Sequence, residues 1–348
     1  MAEAYFGLSP EDRLEVLSVA ASASGRPPHL LEKDIWVVWT LGALFGDSLG
    51  DDLVFKGGTS LSKVYGAIRR FSEDIDLTYD IRKLVPDLVD GAEDALPATR
   101  SEEKRWSKAV RTRLPQWIAE KALPLIQARL AADALPAKAR AEGDKIFVEY
   151  EALTTGSGYV LPRVMLEFGA RSTGEPSAPY EVTCDAAPHV EGVAFPVARP
   201  RVMRAERTFW EKATAAHVFC SEGPLRGDRF ARHWYDLAKL DEAGLAEAAI
   251  ADRSIAAAVA AHKRWFFAEK DAGRQTIDYG AAVAGDLRLV PEGDSRRALA
   301  DDYRRMVEDG LLLDEAEPFE ALMDRIRDLQ DRANAAAADG SVEGSGRV

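Results

Sequence analysis

Long apolar runs, cysteine and net positive charge are what this sequence lacks. The longest apolar stretch, Ile35 to Phe45 in "IWVVWTLGALF", falls well short of the roughly 20 residues that a membrane-spanning helix needs, so no membrane segment is expected. The opening "MAEAYFGLSPEDR" has no basic segment followed by an apolar one, which speaks against a secretory signal and leaves the cytoplasm as the expected compartment. Two cysteines, Cys184 and Cys220, allow at most one disulfide, and reduced core thiols are the expectation. The histidines, His29, His189, His217, His233 and His262, are too scattered for a zinc site. A net charge of -13 argues against non-specific coating of nucleic acid, because phosphate contacts come from Lys and Arg.

What is present is enough for a substantial core: 348 residues, 47% of them hydrophobic, a length that favours two domains. The charge is unevenly spread. Thr99 to Arg140 holds ten Lys or Arg against four acids, a local +6, and Pro196 to Arg232 holds eight against four, a local +4. Each stretch reads either as a solvated helix face or as part of a positive groove on an acidic body.

The periodicity predicts two N-terminal helices, the first opened by Ser9-Pro10 as N-cap and N1, the second running from Leu30 to a break at Gly46. A short buried strand, Leu53 to Phe55, ends at Gly57-Gly58, and a helix follows over Thr59 to Ile68. "SEDIDLTYD" alternates as a strand with one polar face. Residues 84–140 read as a helical insertion cut into short pieces by Pro97, Pro115, Pro124 and Pro136. Strands resume at 145–153, 163–170, 180–185 and 200–204, and from Ala205 the chain is helical. The expected organisation is a domain over 1–204, a helical domain over 205–338 and a disordered Gly/Ser-rich tail over 339–348.

Alternate carboxylates on a strand lie about 6.5 to 7 Å apart on one face. Asp74 and Asp76 are therefore placed to ligate a hard divalent cation through oxygen, and two such ions about 3.5 to 4 Å apart can clamp the oxygens of a phosphoryl transfer. Gly57 and Gly58 at a strand-to-helix junction let backbone N–H groups approach a phosphate, with the Thr59 and Ser60 hydroxyls alongside. Glu167, on the polar side of "RVMLEFGA", is the candidate third acid, with Glu149 and Glu151 as rivals and an ordinary exposed carboxylate as the alternative. Ser72 shares the parity of Asp74 if the strand already begins there. Trp234 and Tyr235 either stack on a base or anchor a helix.

"GGTSLSKVYGAIRRFSEDIDL" resembles the Gly-Gly-Thr and Ser-Glu-Asp-x-Asp signature of the AbiEii/AbiGii toxin nucleotidyltransferases, which include the MenT toxins and belong to the DNA polymerase beta-like superfamily. "LLEKDIWVVWTLGALF", "ERTFWEKATAAHVF" and "RHWYDLAKL" are similar to three further family blocks, in family order, between Leu30 and Leu240. The resemblance implies metal carboxylates at Asp74 and Asp76, a phosphate turn at Gly58, Thr59 and Ser60, a phosphate-contacting Lys212 and a later essential acid at Asp236. Read by themselves, Lys212 is either a solvated lysine or, sharing a helix face with Phe209, Ala213 and Ala216, a cleft lysine in need of an anion, and Asp236 is an intrahelical partner of Arg232 or Lys239. Arg229 and Arg232 are candidate phosphate or acceptor ligands, or exposed loop charges, and Glu32, Lys33 and Asp34 match the family without a role that chemistry specifies.

The expected fold is thus α+β, a small mixed sheet with N-terminal helices and a helical C-terminal domain, with the active site between the two. The expected reaction moves a nucleotide from an NTP, with Mg2+ or Mn2+, onto an acceptor oxygen and releases pyrophosphate. The resemblance implies a tRNA 3' end as acceptor, a cognate antitoxin as partner and a part in phage defence. Two other readings are nucleotidylation of a protein side chain and a non-catalytic nucleotide-binding module.

Overall fold

A computed structural model describes residues 2–89, 91–92, 94–154, 160–222, 229–308 and 312–344. The chain divides into two compact units, one formed by residues 1–64, 71–95 and 104–203 and the other by 65–70, 96–103 and 204–348. Among the described residues no helix is long and apolar enough to cross a membrane, and Cys184 and Cys220 are both free.

The first unit begins with helix α1 (Pro10–Ser24), whose N-cap Ser9 accepts from the Asp12 N–H at 3.1 Å, and α2 (Pro28–Phe45), capped at Gly46. Its centre is a seven-stranded mixed sheet of β1 (Leu53–Lys56), β2 (Ile75–Tyr79), β3 (Ala137–Glu142), β4 (Lys145–Tyr150), β5 (Arg163–Gly169), β6 (Ser177–Pro179) and β7 (Arg201–Met203). The spatial order is β3-β4-β5-β2-β1-β7-β6. Strand β2 is central, antiparallel to β1 and parallel to β5. Val164, Leu166 and Phe168 are buried on one face of β5, leaving Arg163, Met165 and Glu167 on the other, as the alternation predicts.

The structure departs from the sequence expectations at several elements. The glycine-turn helix α3 spans Gly57–Lys63 and does not reach Ile68. Strand β2 starts at Ile75, so Ser72 has no strand parity with Asp74; side-chain bonds, described below, hold 72–74 in place of the ladder. The insertion is not helical to residue 140, because β3 pairs along its whole length with β4. Ala137, Ala139 and Ala141 alternate with charged residues there, and alanine favours helix over strand when read alone. The turn at Gly143, with φ of 61°, fixes the hairpin instead.

The prolines also divide the insertion less than expected. Helix α4 (Arg100–Trp117) contains Pro115 and runs through a wide helical turn at Ile118–Ala122 into α5 (Leu123–Ala132). Such local widening accommodates a missing N–H. The stripe Trp106, Val110, Leu114, Ile118, Ala122, Ile126 and Leu130 is buried along the whole run.

The second unit is helical: α6 (Ala205–Glu222), α7 (Ala231–Glu242), α8 (Leu245–Ala251), α9 (Arg253–Phe266), α10 (Gly293–Glu308) and α11 (Phe319–Gly344) are its main elements. Trp210 and Trp234 are fully buried, and their indole N–H groups donate to the carbonyls of Ala249 at 2.8 Å and Leu289 at 2.6 Å. Helix α11 reaches Gly344, into the segment expected to be a disordered tail, whose last residues, 345–348, lie outside the described residues.

Candidate active site

In the first unit the two halves of the sequence motif meet. Gly57 opens α3 with φ of 77°, a left-handed conformation that favours glycine. A Cβ added there would overlap the Asp76 carboxylate, 2.8 Å from its Cγ, so the carboxylate packs directly against the turn. Asp76 is paired with Lys56 on β1 and stands in register with Glu167 on the parallel strand β5. The two acids share a face on strands about 4.8 Å apart. Asp74 lies just before the strand. Glu167 forms an ion pair with Lys145 at 3.0 Å, and its rival Glu149 bonds to Arg140 at 3.1 Å.

The Thr59 and Ser60 hydroxyls are not presented to a ligand in the way expected. Both side chains are buried, Thr59 Oγ1 donates to the Asp74 carbonyl at 2.5 Å and lies 3.0 Å from Ser72 Oγ, and Ser60 Oγ donates to the Gly57 carbonyl at 2.9 Å. A hydroxyl has one proton, and these are used to fix the turn to the acid-bearing segment. What the turn can offer a phosphate is its backbone N–H groups.

Glu32, Lys33 and Asp34 acquire a role. All three are buried on α2. Glu32 accepts from the Leu153 N–H at 2.8 Å and from the Thr154 N–H and hydroxyl at 3.2 and 2.8 Å. Lys33 pairs with Glu73 at 2.6 Å and donates to the Leu161 carbonyl at 2.9 Å. Asp34 pairs with Lys63, the last residue of α3, at 2.6 Å and accepts from the Asp185 N–H at 2.6 Å, while Lys63 also pairs with Asp185 at 2.7 Å. Burial alone would lower the Lys63 pKa, but the two carboxylates outweigh it and raise it. Lys33 is shifted down, because burial outweighs the attraction of Glu73. One helix thus grips the glycine-turn helix at one end and the Ser72–Asp74 segment at the other.

In the second unit Asp236 is fully buried and carries two cations. Arg70 forms a fork to both its oxygens, Nε to Oδ1 at 2.7 Å and Nη2 to Oδ2 at 2.8 Å, and Lys212 Nζ lies 2.8 Å from Oδ2. Burial alone would raise the Asp236 pKa, but Arg70 and Lys212 outweigh it and hold the carboxyl well below the usual carboxylate range. Of the two intrahelical partners expected for Asp236, Lys239 pairs with Glu242 at 2.8 Å instead. The pairing with Asp236 removes the solvated reading of Lys212, whose side chain is only 12% exposed. Arg70, 4% exposed, escaped the sequence reading. Its one legible signal was its place beside the Ser-Glu-Asp-x-Asp motif.

Trp234 and Tyr235 are core anchors rather than a stacking platform: both are buried, and the Tyr235 hydroxyl donates to the Arg69 carbonyl at 2.9 Å. Arg229 has a left-handed backbone (φ 71°), held by Asp302, which accepts from the Arg229 N–H at 2.8 Å and the Ala231 N–H at 2.7 Å. Arg232 is half-buried in the first turn of α7.

The donors of the first unit are carboxylate oxygens, which suit a hard divalent cation. Among the described residues no three His, Cys, Asp or Glu side chains converge as a ready-made metal cage. Magnesium is commonly held by one or two carboxylates plus substrate phosphates, so Asp76 with its neighbouring acids fits that mode. A glycine turn packed under a strand carboxylate, on a mixed sheet flanked by helices, belongs to a nucleotidyltransferase core. The profile of the nucleotidyl transferase AbiEii toxin family, of type IV toxin–antitoxin systems, matches residues 40–325, and the chain belongs to that family. The match continues well beyond Leu240, where the motif resemblance stops, and begins after Glu32-Lys33-Asp34. No curated protein matches the chain.

Proposed function

We propose that this nucleotidyltransferase moves a nucleotide from an NTP to the 3' hydroxyl of an RNA, a tRNA being the preferred acceptor. The observation that carries the reading is the contact of the Gly57 turn with the Asp76 carboxylate, which puts backbone N–H groups suited to a phosphate beside a carboxylate suited to a hard cation. Asp74, Asp76 and Glu167 would hold Mg2+ or Mn2+. The ion, when bound, neutralises charge on the transferring phosphoryl group and orients the attacking oxygen.

The chain's own residues do the rest. Gly57 leaves room for the Asp76 carboxylate at the turn, whose backbone N–H groups are assigned to the triphosphate. Thr59 and Ser72 fix the acid-bearing segment against that turn. In the second unit Arg70 and Lys212 against Asp236 leave one positive charge in excess, and Lys212, the more exposed cation, is assigned to the nucleotide phosphates. Membership of a type IV toxin–antitoxin family supports a toxin restrained by a cognate antitoxin, with phage defence as the setting.

The test is incubation with each labelled NTP, magnesium and total RNA, resolved on a gel. Label in an RNA band, lost with Asp76→Asn, is the expected result. Label in a protein band and none in RNA would select protein nucleotidylation instead.

A further inference from the structure

Both basic stretches of the sequence hold ion-paired cations: in the first, Arg129 pairs with Asp133 and Arg140 with Glu142. Cations of the second are neutralised by acids close by: Arg199 pairs with Glu181, Arg204 with Glu206, Arg207 with Glu211 and Lys212 with Asp236. In the first, α4 carries no acid from Lys104 to its end at Trp117. Its stripe Trp106, Val110 and Leu114 is buried, and the helical period puts Lys104, Arg105, Lys108 and Arg111 on the opposite side, where all four are exposed. Lys104 and Lys108 stand at i, i+4 and Arg111 three residues on, a row roughly 10 Å long at 1.5 Å per residue. Arg113, off that row, pairs with Asp87.

A row of like charges repels itself locally, by a few tenths of a kcal/mol for each i, i+4 pair, even though cations lower the overall self-repulsion of a chain with a net charge of -13. A polyanion relieves the repulsion. Trp117, at the end of the same helix, stacks on Tyr79 of β2 at 4.1 Å and packs edge-on against Phe168 of β5 at 5.8 Å. The basic row is therefore anchored to the two strands that carry Asp76 and Glu167. Strand alternation puts Tyr79 and Phe168 on the sheet face opposite those acids. An acceptor engaged by both must be a folded or extended RNA, not a short oligonucleotide.

We infer that the exposed face of α4 is a docking surface for the phosphate backbone of a structured RNA, a reading that rests on the RNA acceptor proposed above. The test measures binding of labelled total tRNA and of a labelled trinucleotide across 50 to 200 mM salt. The variants are K104E/K108E/R111E, its alanine counterpart and a control of equal charge change, R297E/R304E/R327E, whose arginines pair with Asp294, Asp301 and Asp324. Losing three phosphate contacts should lower the slope of log K against log salt by about 2 and weaken tRNA binding at least tenfold at low salt. The alanine variant should fall between, the control should stay within about twofold, and trinucleotide binding should not respond. NTP binding by the same variants, followed by thermal shift, reads the nucleotide site separately and should be unchanged.

Wild-type tRNA binding in K104E/K108E/R111E, or an equal loss in the control, overturns the surface. So does a wild-type protein that binds NTP but no tRNA, a result that leaves nucleotidyl transfer to another acceptor standing. Retained tRNA binding with loss of a cognate protein partner would assign the face to that protein and overturn the proposal as well.

Discussion

Gly57→Ala tests whether the glycine turn and Asp76 form one device. At φ of 77° any side chain costs about 1–2 kcal/mol in the backbone. The new Cβ would also sit 2.8 Å from Asp76 Cγ and 3.0 Å from its Cβ, where ordinary contact begins near 3.4 Å. Asp76 is fixed in a strand hydrogen-bonded on both sides, so its carboxylate must rotate away, by on the order of 1 Å, a displacement that can cost 10²-fold in rate. Gly25 is the control: it has φ of 72° and nothing within 4 Å of an added Cβ. Gly25→Ala should lose a similar 1–2 kcal/mol in urea denaturation and keep its transfer rate, whereas Gly57→Ala should lose at least about 100-fold in labelled-nucleotide transfer. Equal transfer by the two variants would refute the reasoning, because the strain is shared and the clash is not.

Asp236→Asn should destabilise by about 3–5 kcal/mol in the same denaturation experiment, because it leaves Arg70 and Lys212 buried together without their anion; a loss under 1 kcal/mol would mean that water replaces the carboxylate. His217, buried and accepting from the Arg288 N–H through Nδ1 at 3.1 Å, has its pKa pushed down to about 4 by burial. A base whose folded pKa lies below its unfolded value contributes stability that is intact above the unfolded pKa of 6.5 and lost as pH falls through about 4. Over that window it should account for roughly 3 kcal/mol, a pH dependence that His217→Gln should flatten. Ser72→Glu should abolish nucleotide transfer and Ser72→Ala should keep most of it, since the serine oxygen lies 3.0 Å from Thr59 Oγ1 beside the acid segment; a fully active Ser72→Glu enzyme would remove Ser72 from the site.

Local chemistry was legible in the sequence and long-range pairing was not. Ser9-Pro10, Gly46, the β1 strand and the alternation of β5 announce themselves through caps and period. Strand β3 did not, because Ala-Lys-Ala-Arg-Ala-Glu has helical propensity and becomes a strand only through β4. The sequence pattern starts β2 too early for a related reason: Ser72-Glu73-Asp74 has a strand-like pattern, but its bonds go to Thr59 and Lys33 rather than to a neighbouring strand. The acids and glycines could be named from spacing. Their contact, and the Arg70 partner of Asp236, required the fold.

The three consecutive charges on α2, which lie before the matched span, explain why the start of that helix matters to the site. Successive helical residues point about 100° apart, so Glu32, Lys33 and Asp34 cannot serve one partner; they reach residues 153–154, Glu73 and Lys63 in turn. A buried charge is stabilising only while its partner stays in place. Each pair therefore penalises displacement of the segment that it holds. Two of those segments, the end of α3 and the residues before Asp76, are the ones whose relative position sets the distance between the glycine turn and the acids. Hydrophobic packing could hold them as tightly, but without direction. Ion pairs with hydrogen-bond geometry fix orientation as well as proximity, which is what a site needs when its glycine turn lies in van der Waals contact with its carboxylate.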